Sequence, residues 1–495
     1  MTCQLIWYRS DLRTRDHAPL FCAAAMDQPL IAVYVFDPRD YGNSPHGFPR
    51  MGRKRAQFLL EAVGDLRRRL RQLGGDLIVR SGHTEDVIAG CLSEFPVQSI
   101  HAHNASGTDE EERLAAVSEI AQQHNASLKL YEGETLYHPD DLPLAVSETP
   151  ELFSKFRRQV EHASTIREPL DEPNRVSPPP LEIDPGTIPS LQRLFGSLDP
   201  SNSEATEDPN DPQFEGGQAA AWHRIEAYIW EADRLRVYKE TRNGMLERDD
   251  SSKLSPWLAH GCVSPRSIAA EIRRYEDERL ANDSTYWLLF ELMWRDYFHF
   301  ILRKHRHRLF RASGLQGIAL PWRNDEVSFS AWCEGCTGYP LVDANMVELQ
   351  RTGFMSNRGR QNVASFLTKN LGIDWRLGAE YFESRLIDHD VASNWGNWNY
   401  AAGVGNDARG FRFFHIIKQA KKYDPDGAYV KHWVPSLSPV SECEVHTPWE
   451  MSPARQAELG CVLGRDYPAP IVDLIESAEH HERLYRQAIA HGRKR

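Results

Sequence analysis

Apolar residues fall in short runs over the first 135 positions and then change their spacing. Residues 5–8, 30–36, 77–79, 99–102 and 128–131 are brief apolar stretches bounded by polar ones. Runs of that length read as buried strands. Between them lie segments of helical period. In 50–73, Phe58, Leu59, Ala62, Val63, Leu66 and Leu70 recur on one side. Strand–helix alternation predicts an α/β unit over residues 1–135, a doubly wound parallel sheet. No Gly-x-Gly-x-x-Gly opens a helix there, so nothing points to dinucleotide binding by this unit.

Past residue 135 the pattern breaks. Pro178-Pro179-Pro180, Asp184-Pro185-Gly186 and residues 201–212 mark a connector over 136–217, either wrapped on a surface or mobile. Strand signals then nearly vanish. Helical period dominates 219–238, 265–275, 285–302, 361–369 and 377–385, which predicts an all-α domain over 218–435. Residues 436–495 form an extension with several prolines and a polar helix at 473–491. At 495 residues, two or more domains are expected in any case.

Charge narrows the function classes. A net charge of −12 argues against a wholesale nucleic-acid binder but leaves room for a local basic face. Two basic stretches stand out, 303–308 and 351–360. The first reads as a solvated face. The second lies among aromatics and glycine and is the stronger functional candidate. Without an apolar run of about 18 residues or a leader, the chain is expected to be cytoplasmic, with no membrane association. Eight scattered cysteines fit a reducing compartment. Cys333-Glu334-Gly335-Cys336 lacks the context of a redox or zinc motif, so no metal is expected.

Candidate chemistry concentrates in three places. Tyr238 and the run Ser251, Ser252, Lys253, Leu254, Ser255 precede a proline. Their hydroxyls and amides suit a phosphate, though Ser-Ser before a helix also suits an N-cap. Trp287, Glu291, Trp294 and Arg295 share one side of a helix by spacing. Glu291 either pairs with Arg295 or hydrogen-bonds a base beside Trp294. The third place is 355–400, where arginines, carboxylates, amides and tryptophans are interleaved. Such groups are costly to bury together unless each finds a partner, which suggests a pocket for a large, planar, partly charged ligand.

Taken in order, several motifs resemble the photolyase/cryptochrome flavoproteins, most closely the DASH-type cryptochromes. They are Trp7-Tyr8-Arg9-Ser10-Asp11-Leu12-Arg13, residues 238–245, 254–259 and 290–298, Thr337-Gly338-Tyr339-Pro340, 355–361 and 394–406. The resemblance implies an antenna-type α/β domain, a helical catalytic domain holding FAD, and blue-light-driven repair of cyclobutane pyrimidine dimers. By position, Tyr238 and Ser251 through Ser255 line the FAD phosphates, and Arg295, Arg360, Asp388 and Asp390 surround flavin and ribose. Asn394 faces the flavin ring, and Trp398, Trp375 and Trp322 pass electrons. Glu291 hydrogen-bonds the dimer, with Trp294 and Tyr400 against it. Arg242, Asn357, Arg358 and Gln361 meet DNA.

Three departures refine this. Gln361 and Tyr400 stand where ordinary DNA photolyases carry Met and Trp. A less apolar, less strongly stacking pocket recovers less of the cost of flipping a dimer from a duplex. The expected partner is therefore mainly single-stranded or looped DNA, bound by a monomer. Ala105 stands where folate-binding members carry Glu, which weighs against a methenyltetrahydrofolate antenna unless Glu110 or Glu112 substitutes. The competing expectations are a signalling photoreceptor and a nucleic-acid-binding regulator. The absence of a low-complexity tail weighs for repair over signalling, and the retained Glu291 and Trp294 weigh against the regulator.

Overall fold

The chain is described by a computed structural model over residues 2–180, 182–196, 214–407 and 410–492. Five parallel strands form where the apolar runs predict them: β1 (Cys3–Tyr8), β2 (Leu30–Phe36), β3 (Leu77–Ser81), β4 (Val97–His103) and β5 (Ser127–Tyr131). Their order is β3-β2-β1-β4-β5, so the winding reverses at β1 and β4. In such sheets the crevice at the carboxyl ends of the strands, beside the reversal, is where ligands bind.

Side chains along β1 alternate between two buried layers. Cys3, Leu5 and Trp7 pack with Ile88 and Leu92 of α3 (Thr84–Glu94) and Leu114 and Val117 of α4 (Thr108–Gln123). Ile6 and Tyr8 point the other way, toward α1 (Ala18–Ala24) and α2 (Arg53–Gln72). This second layer is continuous with the apolar core of the helical part, so the two parts of the chain share one interior.

Part of the connector wraps rather than dangles. Val176 N donates to Leu73 O, and Val79 N to Pro185 O, which covers the outer edge of β3. The connector also carries α5 (Phe153–Ala163). Its stretch 201–212 lies outside the described residues.

Beyond it run α6 (Gln218–Ile225), α7 (Pro265–Glu278), α8 (Asp283–His305), α9 (Pro340–Thr352), α10 (Asn357–Ser365), α11 (Trp375–Arg385), α12 (Val391–Ala402), α13 (Ile416–Tyr423) and α14 (Leu474–Gly492). The helix expected over 219–238 does not continue. It widens into a π turn at Glu226–Glu231, then meets Asp233 in a left-handed conformation. The helix expected from 361 begins earlier, at Asn357. Ser356 Oγ accepts Gly359 N–H as its N-cap, and the polar first turn hides the start from hydrophobic period.

The basic run 303–308 is not a freely solvated face. Arg303 pairs with Glu132 at 2.8 Å, Lys304 and His305 with Glu151 at 2.6 and 3.0 Å, and Arg306 with Glu111. Every carboxylate comes from the first 151 residues, so the end of α8 is fastened to the N-terminal half. Two turns before Arg303, buried Asp296 accepts the amides of Leu136 and Tyr137, each at 2.8 Å.

Helices α8 and α12 meet at Gly396, where a Cβ would lie 2.2 Å from the Phe298 ring. Phe298 is 3 % exposed and cannot retreat. Gly396→Ala is therefore expected to lower unfolding free energy by about 1–3 kcal/mol, read from the urea midpoint at unchanged slope.

Candidate functional site

The segment 250–254 is irregular backbone, with Lys253 at φ +51°, and leads into a short helix at Ser255–Ala259. Arg224 of α6 gathers its carbonyls. Nε donates to Ser252 O at 2.9 Å, and Nη2 to Ser251 O at 3.0 Å and Arg248 O at 3.2 Å. Nη1 pairs with Asp249 at 2.6 Å. Among the described residues, the amides of Ser251, Ser252, Lys253 and Leu254 donate no hydrogen bond. Ser252, Lys253 and Leu254 are nonetheless buried. Consecutive unpaired amides in a concave turn make an anion cradle. Tyr238 is buried, and burial pushes its hydroxyl well above the usual tyrosine range.

The cradle leads into Asp388. Ser255 Oγ donates to Asp388 Oδ2 at 2.6 Å, and Arg360 Nη2 to the same oxygen at 2.7 Å. Arg360 Nε donates to Met355 O. Asp388 Oδ1 is buried with no partner among the described residues. Arg295 and Asp390 belong to a separate cluster. They lie 3.8 Å apart, and Asp390 also meets His299 Nε2 at 3.0 Å. His299 Nδ1 lies 3.3 Å from Glu134. Asp390 Oδ1 caps α12 through Ser393 N. Asn394, one turn on, donates from Nδ2 to Ala379 O at 3.0 Å, which fixes its amide.

Glu291 does not pair with Arg295. Its Oε1 meets Arg242 Nη1 at 2.5 Å and accepts Trp287 Nε1–H at 3.1 Å. Burial raises its pKa, against the pull of Arg242 and the indole. Trp294 stands at a corner with Tyr400, the rings 6.0 Å apart at 82°. One face of Trp294 is covered by Phe153 of α5, at 3.7 Å and 14°, so a ligand could use only what Phe153 leaves. Arg358 donates to Gln361 Oε1 at 2.9 Å and Asn243 Oδ1 at 2.8 Å, while its guanidinium lies 4.5 Å over Tyr423. Asn357 is exposed.

The three tryptophans form a succession. Trp398 packs on Gly378 of α11, where a Cβ would lie 2.3 Å from Cη2. Trp375 sits one turn away on the same helix. Trp375 and Trp322 both donate to Ala312 O, at 3.1 and 3.3 Å. Trp398 and Trp375 are buried, and Trp322 is half-buried.

Each half of this arrangement has a counterpart among known proteins. The family described as "DNA photolyase" matches residues 4–174, and that described as "FAD binding domain of DNA photolyase" matches 287–487. A Cryptochrome DASH from Gloeobacter violaceus is 53% identical, covering 99% of this chain and 97% of the relative. The chain belongs to the photolyase/cryptochrome family, among its DASH cryptochromes. The Cryptochrome DASH of Natronomonas pharaonis is 47% identical, over 96% of this chain and 98% of the relative. The crystal structure of a Synechocystis cryptochrome superposes with a TM-score of 0.93 at 45% identity, over 98% of this chain and 99% of that one. A class III photolyase from Agrobacterium tumefaciens gives a TM-score of 0.85 at 29% identity, over 99% and 98%.

As a DASH cryptochrome the protein is a flavoprotein with an FAD-binding domain, and its residues fit that cofactor. The amides of 251–254 offer donors for a pyrophosphate, and Asp388 Oδ1 is an acceptor waiting for a donor. Arg360, paired with Asp388 at 2.7 Å, would offer a cation to an anionic ring.

At the carboxyl ends of β1, β2 and β4, a cavity of about 240 Å³ is lined by Arg9, Asn104, Ala105, Glu110, Arg295 and Asp390, among others. Here the antenna expectation meets geometry. Glu110 turns its carboxyl inward, and burial pushes it up to about 7; Glu112 is exposed on α4. Nearby Asp11, His17 and His103 have the residue types of a metal site. His17 Nδ1 accepts Leu20 N–H, so its Nε2 carries the proton donated to Asp11. His103 Nδ1 shares the same Asp11 oxygen. The cluster is a hydrogen-bonded node rather than a ligand set.

Sequence reading missed Arg224, Phe153, His299 and Asn243. Each acts on a residue far away in sequence, and no local spacing could reveal it.

Two outcomes follow from this geometry. Asp388→Asn is expected to weaken the Arg360 and Ser255 contacts and lower the flavin absorbance per polypeptide after gel filtration. His299 is held charged: burial opposes it, but Asp390 and Glu134 outweigh burial and Arg295 and raise it to about 9. Its contribution to stability is then complete below about pH 6.5, the unfolded value, and is lost as pH rises through about 9. Urea unfolding across that window is expected to show the decline, and His299→Gln to flatten it.

Proposed function

We propose that the protein repairs cyclobutane pyrimidine dimers under blue light and prefers them in unpaired DNA. The observation that carries this reading is Glu291. It is half-buried, held at Oε1 by Arg242 and Trp287, and set beside the Trp294–Tyr400 corner. With Oε1 engaged, Oε2 is left to accept a pyrimidine N3–H. Burial raises the pKa of this carboxyl, and Arg242 and the Trp287 indole pull against it in favour of the carboxylate.

FAD, when bound, supplies the light-excited electron donor. The surrounding side chains bind and orient. The Arg360–Asp388 pair would hold the ring's polar side, with Arg360 offering it a cation, and Asn394, fixed through Nδ2, keeps Oδ1 to accept an N–H. Phe153 backs Trp294 and excludes water from one side of the corner. Arg358, oriented by Gln361 and Asn243, presents a cation at the edge for a phosphate.

The preference for unpaired DNA rests on Tyr400 and Gln361. A phenol stacks over less area than an indole, and the Gln361 amide is engaged with Arg358 rather than offering an apolar surface. Such a pocket returns little of the few kcal/mol that unstacking and unpairing cost, and a single strand asks for little of it.

The tryptophan succession favours a second reading, a photoreceptor that signals through flavin photoreduction, with oxidation passed from Trp398 through Trp375 to Trp322.

The deciding measurement is dimer repair by the purified flavoprotein, monomeric in this reading, under blue light. Repair is expected on single strands and loops, at least tenfold slower on the same dimer in a duplex. Glu291→Gln should lower repair about 10–100-fold with flavin content unchanged. Equal rates in both contexts would remove the strand preference. No repair in either would leave the photoreceptor reading.

A further inference from the structure

We propose that the cavity at the strand ends is a proton inlet, and that His299 passes protons from it to Asp390. The proposal rests on Asp390 as a neighbour of the cofactor and is independent of dimer repair. Asn394, the residue expected to face the flavin, is an amide with no proton to lose, and Arg295 and Arg360 stay charged. A proton for that side needs another source.

One polar passage leads there. Glu110, Ser106, Glu134, His299, Arg295 and Asp390 all line the cavity, which joins the first turn of α4 to the first turn of α12. Buried His299 spans its inner end, with Nε2 3.0 Å from Asp390 Oδ2 and Nδ1 3.3 Å from Glu134 Oε2. Glu134 is fixed in turn. Its Oε2 accepts Ser106 Oγ–H at 2.9 Å, and its backbone carbonyl accepts Arg295 Nη1. At the outer end Glu110 stands between Asp109, which pairs with Arg50, and Arg113, which pairs with Asp40 at 2.5 Å. Tyr8 Oη, Arg9 Nη1 and His103 Nε2 line the same space and have no partner among the described residues. A cavity of about 240 Å³ edged by such groups takes several waters.

Two groups along the passage change protonation close to neutral pH, where proton transfer is most effective. Burial pushes Glu110 up to about 7; Asp109 and Glu134 add to the rise, and Arg113 opposes it. Arg9 faces it from the end of β1. Burial and Arg295 lower His299, but Asp390 and Glu134 outweigh them and raise it to about 9, with Asp296 facing it from the same helix. Burial raises Glu134, yet His299, Arg303 and Arg295 hold it down at about 2, so it remains a fixed anion.

The steps balance without a co-reactant. A negative charge arriving beside Asp390, which an electron taken up by FAD supplies, draws the proton inward. The Nε2–H bond of His299 breaks, the proton passes to Asp390 Oδ2, and the imidazolium becomes neutral imidazole with its other N–H still on Glu134. A proton released by the Glu110 carboxyl restores the imidazolium through the cavity water, and outside water reprotonates Glu110. Each step moves one proton and no electron.

The test is flash illumination of the purified holoprotein with a pH-indicator dye, which reads proton uptake, alongside the absorbance of oxidised tryptophan, which reads electron transfer. H299R keeps a cation between Asp390 and Glu134 but cannot release a proton. It is expected to keep flavin content and the tryptophan signal and to slow proton uptake about 100-fold. In wild type, uptake should slow as pH rises through about 7 and Glu110 ionises. E110Q should remove that step, and E112Q, on the exposed side of α4, should leave it. In the dark, the infrared carbonyl band of a protonated carboxyl should fade over the same pH range in wild type and be missing in E110Q. Unchanged uptake in H299R overturns the donor, and a pH step or band that survives in E110Q overturns the inlet. Absence of dimer repair in wild type would leave both readouts standing, so the two readings fail separately.

Discussion

A charge taken out of water must meet an opposite charge or several hydrogen bonds, and here the partners come from distant stretches of chain. Asp16 meets Arg266 at 2.6 Å, Asp296 meets the amides of 136 and 137, and Glu380 meets Ser44 and His46. Asp388 meets Arg360 and Ser255, and Asp390 meets His299. Stranding one member of such a buried pair costs about 3–5 kcal/mol, a large share of a domain's stability. The site is therefore complete only when the N-terminal sheet, the connector and the helices have all docked.

The same constraint explains what the sequence made legible. The inner strands β1, β2 and β4 could be read because parallel strands buried on both faces appear as unbroken apolar runs, and no polar partner had to be identified; β5, expected as a buried strand, is a partly exposed edge with Leu130 46% exposed. The helices were recognisable but misplaced at their ends. Ser356 starts α10 through a polar cap, and Asp233 ends a long periodic stretch through backbone conformation. Neither signal belongs to hydrophobic period.

Charged residues were legible as candidates, while their pairings were not. Spacing along α8 put Arg295 beside Glu291, yet the partner is Arg242, nearly fifty positions earlier. Spacing also made 303–308 a solvated face, yet its first four basic residues each find a carboxylate in the N-terminal half. Helical period states which side a residue is on, and tertiary docking decides what stands opposite. Family resemblance supplied Arg360 and Asp388 as candidates around the flavin, and the geometry brings them within 2.7 Å of each other.

Helix α12 shows how one element can serve two surfaces. Asn394 and Trp398 are four residues apart and share a face that packs on α11, through Ala379 O and Gly378. Tyr400 lies two residues further, about 200° around the helix, and stands edge-on to Trp294 of α8. The proposed flavin side and the proposed DNA side are thus opposite sides of a single helix. Asp390 caps its first turn and ties it to His299, while Gly396 lets α8 approach in its middle. A shift of α12 by an ångström would displace Asn394 and Tyr400 together. Electron donor and acceptor would then keep their spacing only if the helix moved as a unit. The close packing at Gly396 and Gly378 provides that rigidity, because neither contact has room for an added methyl group.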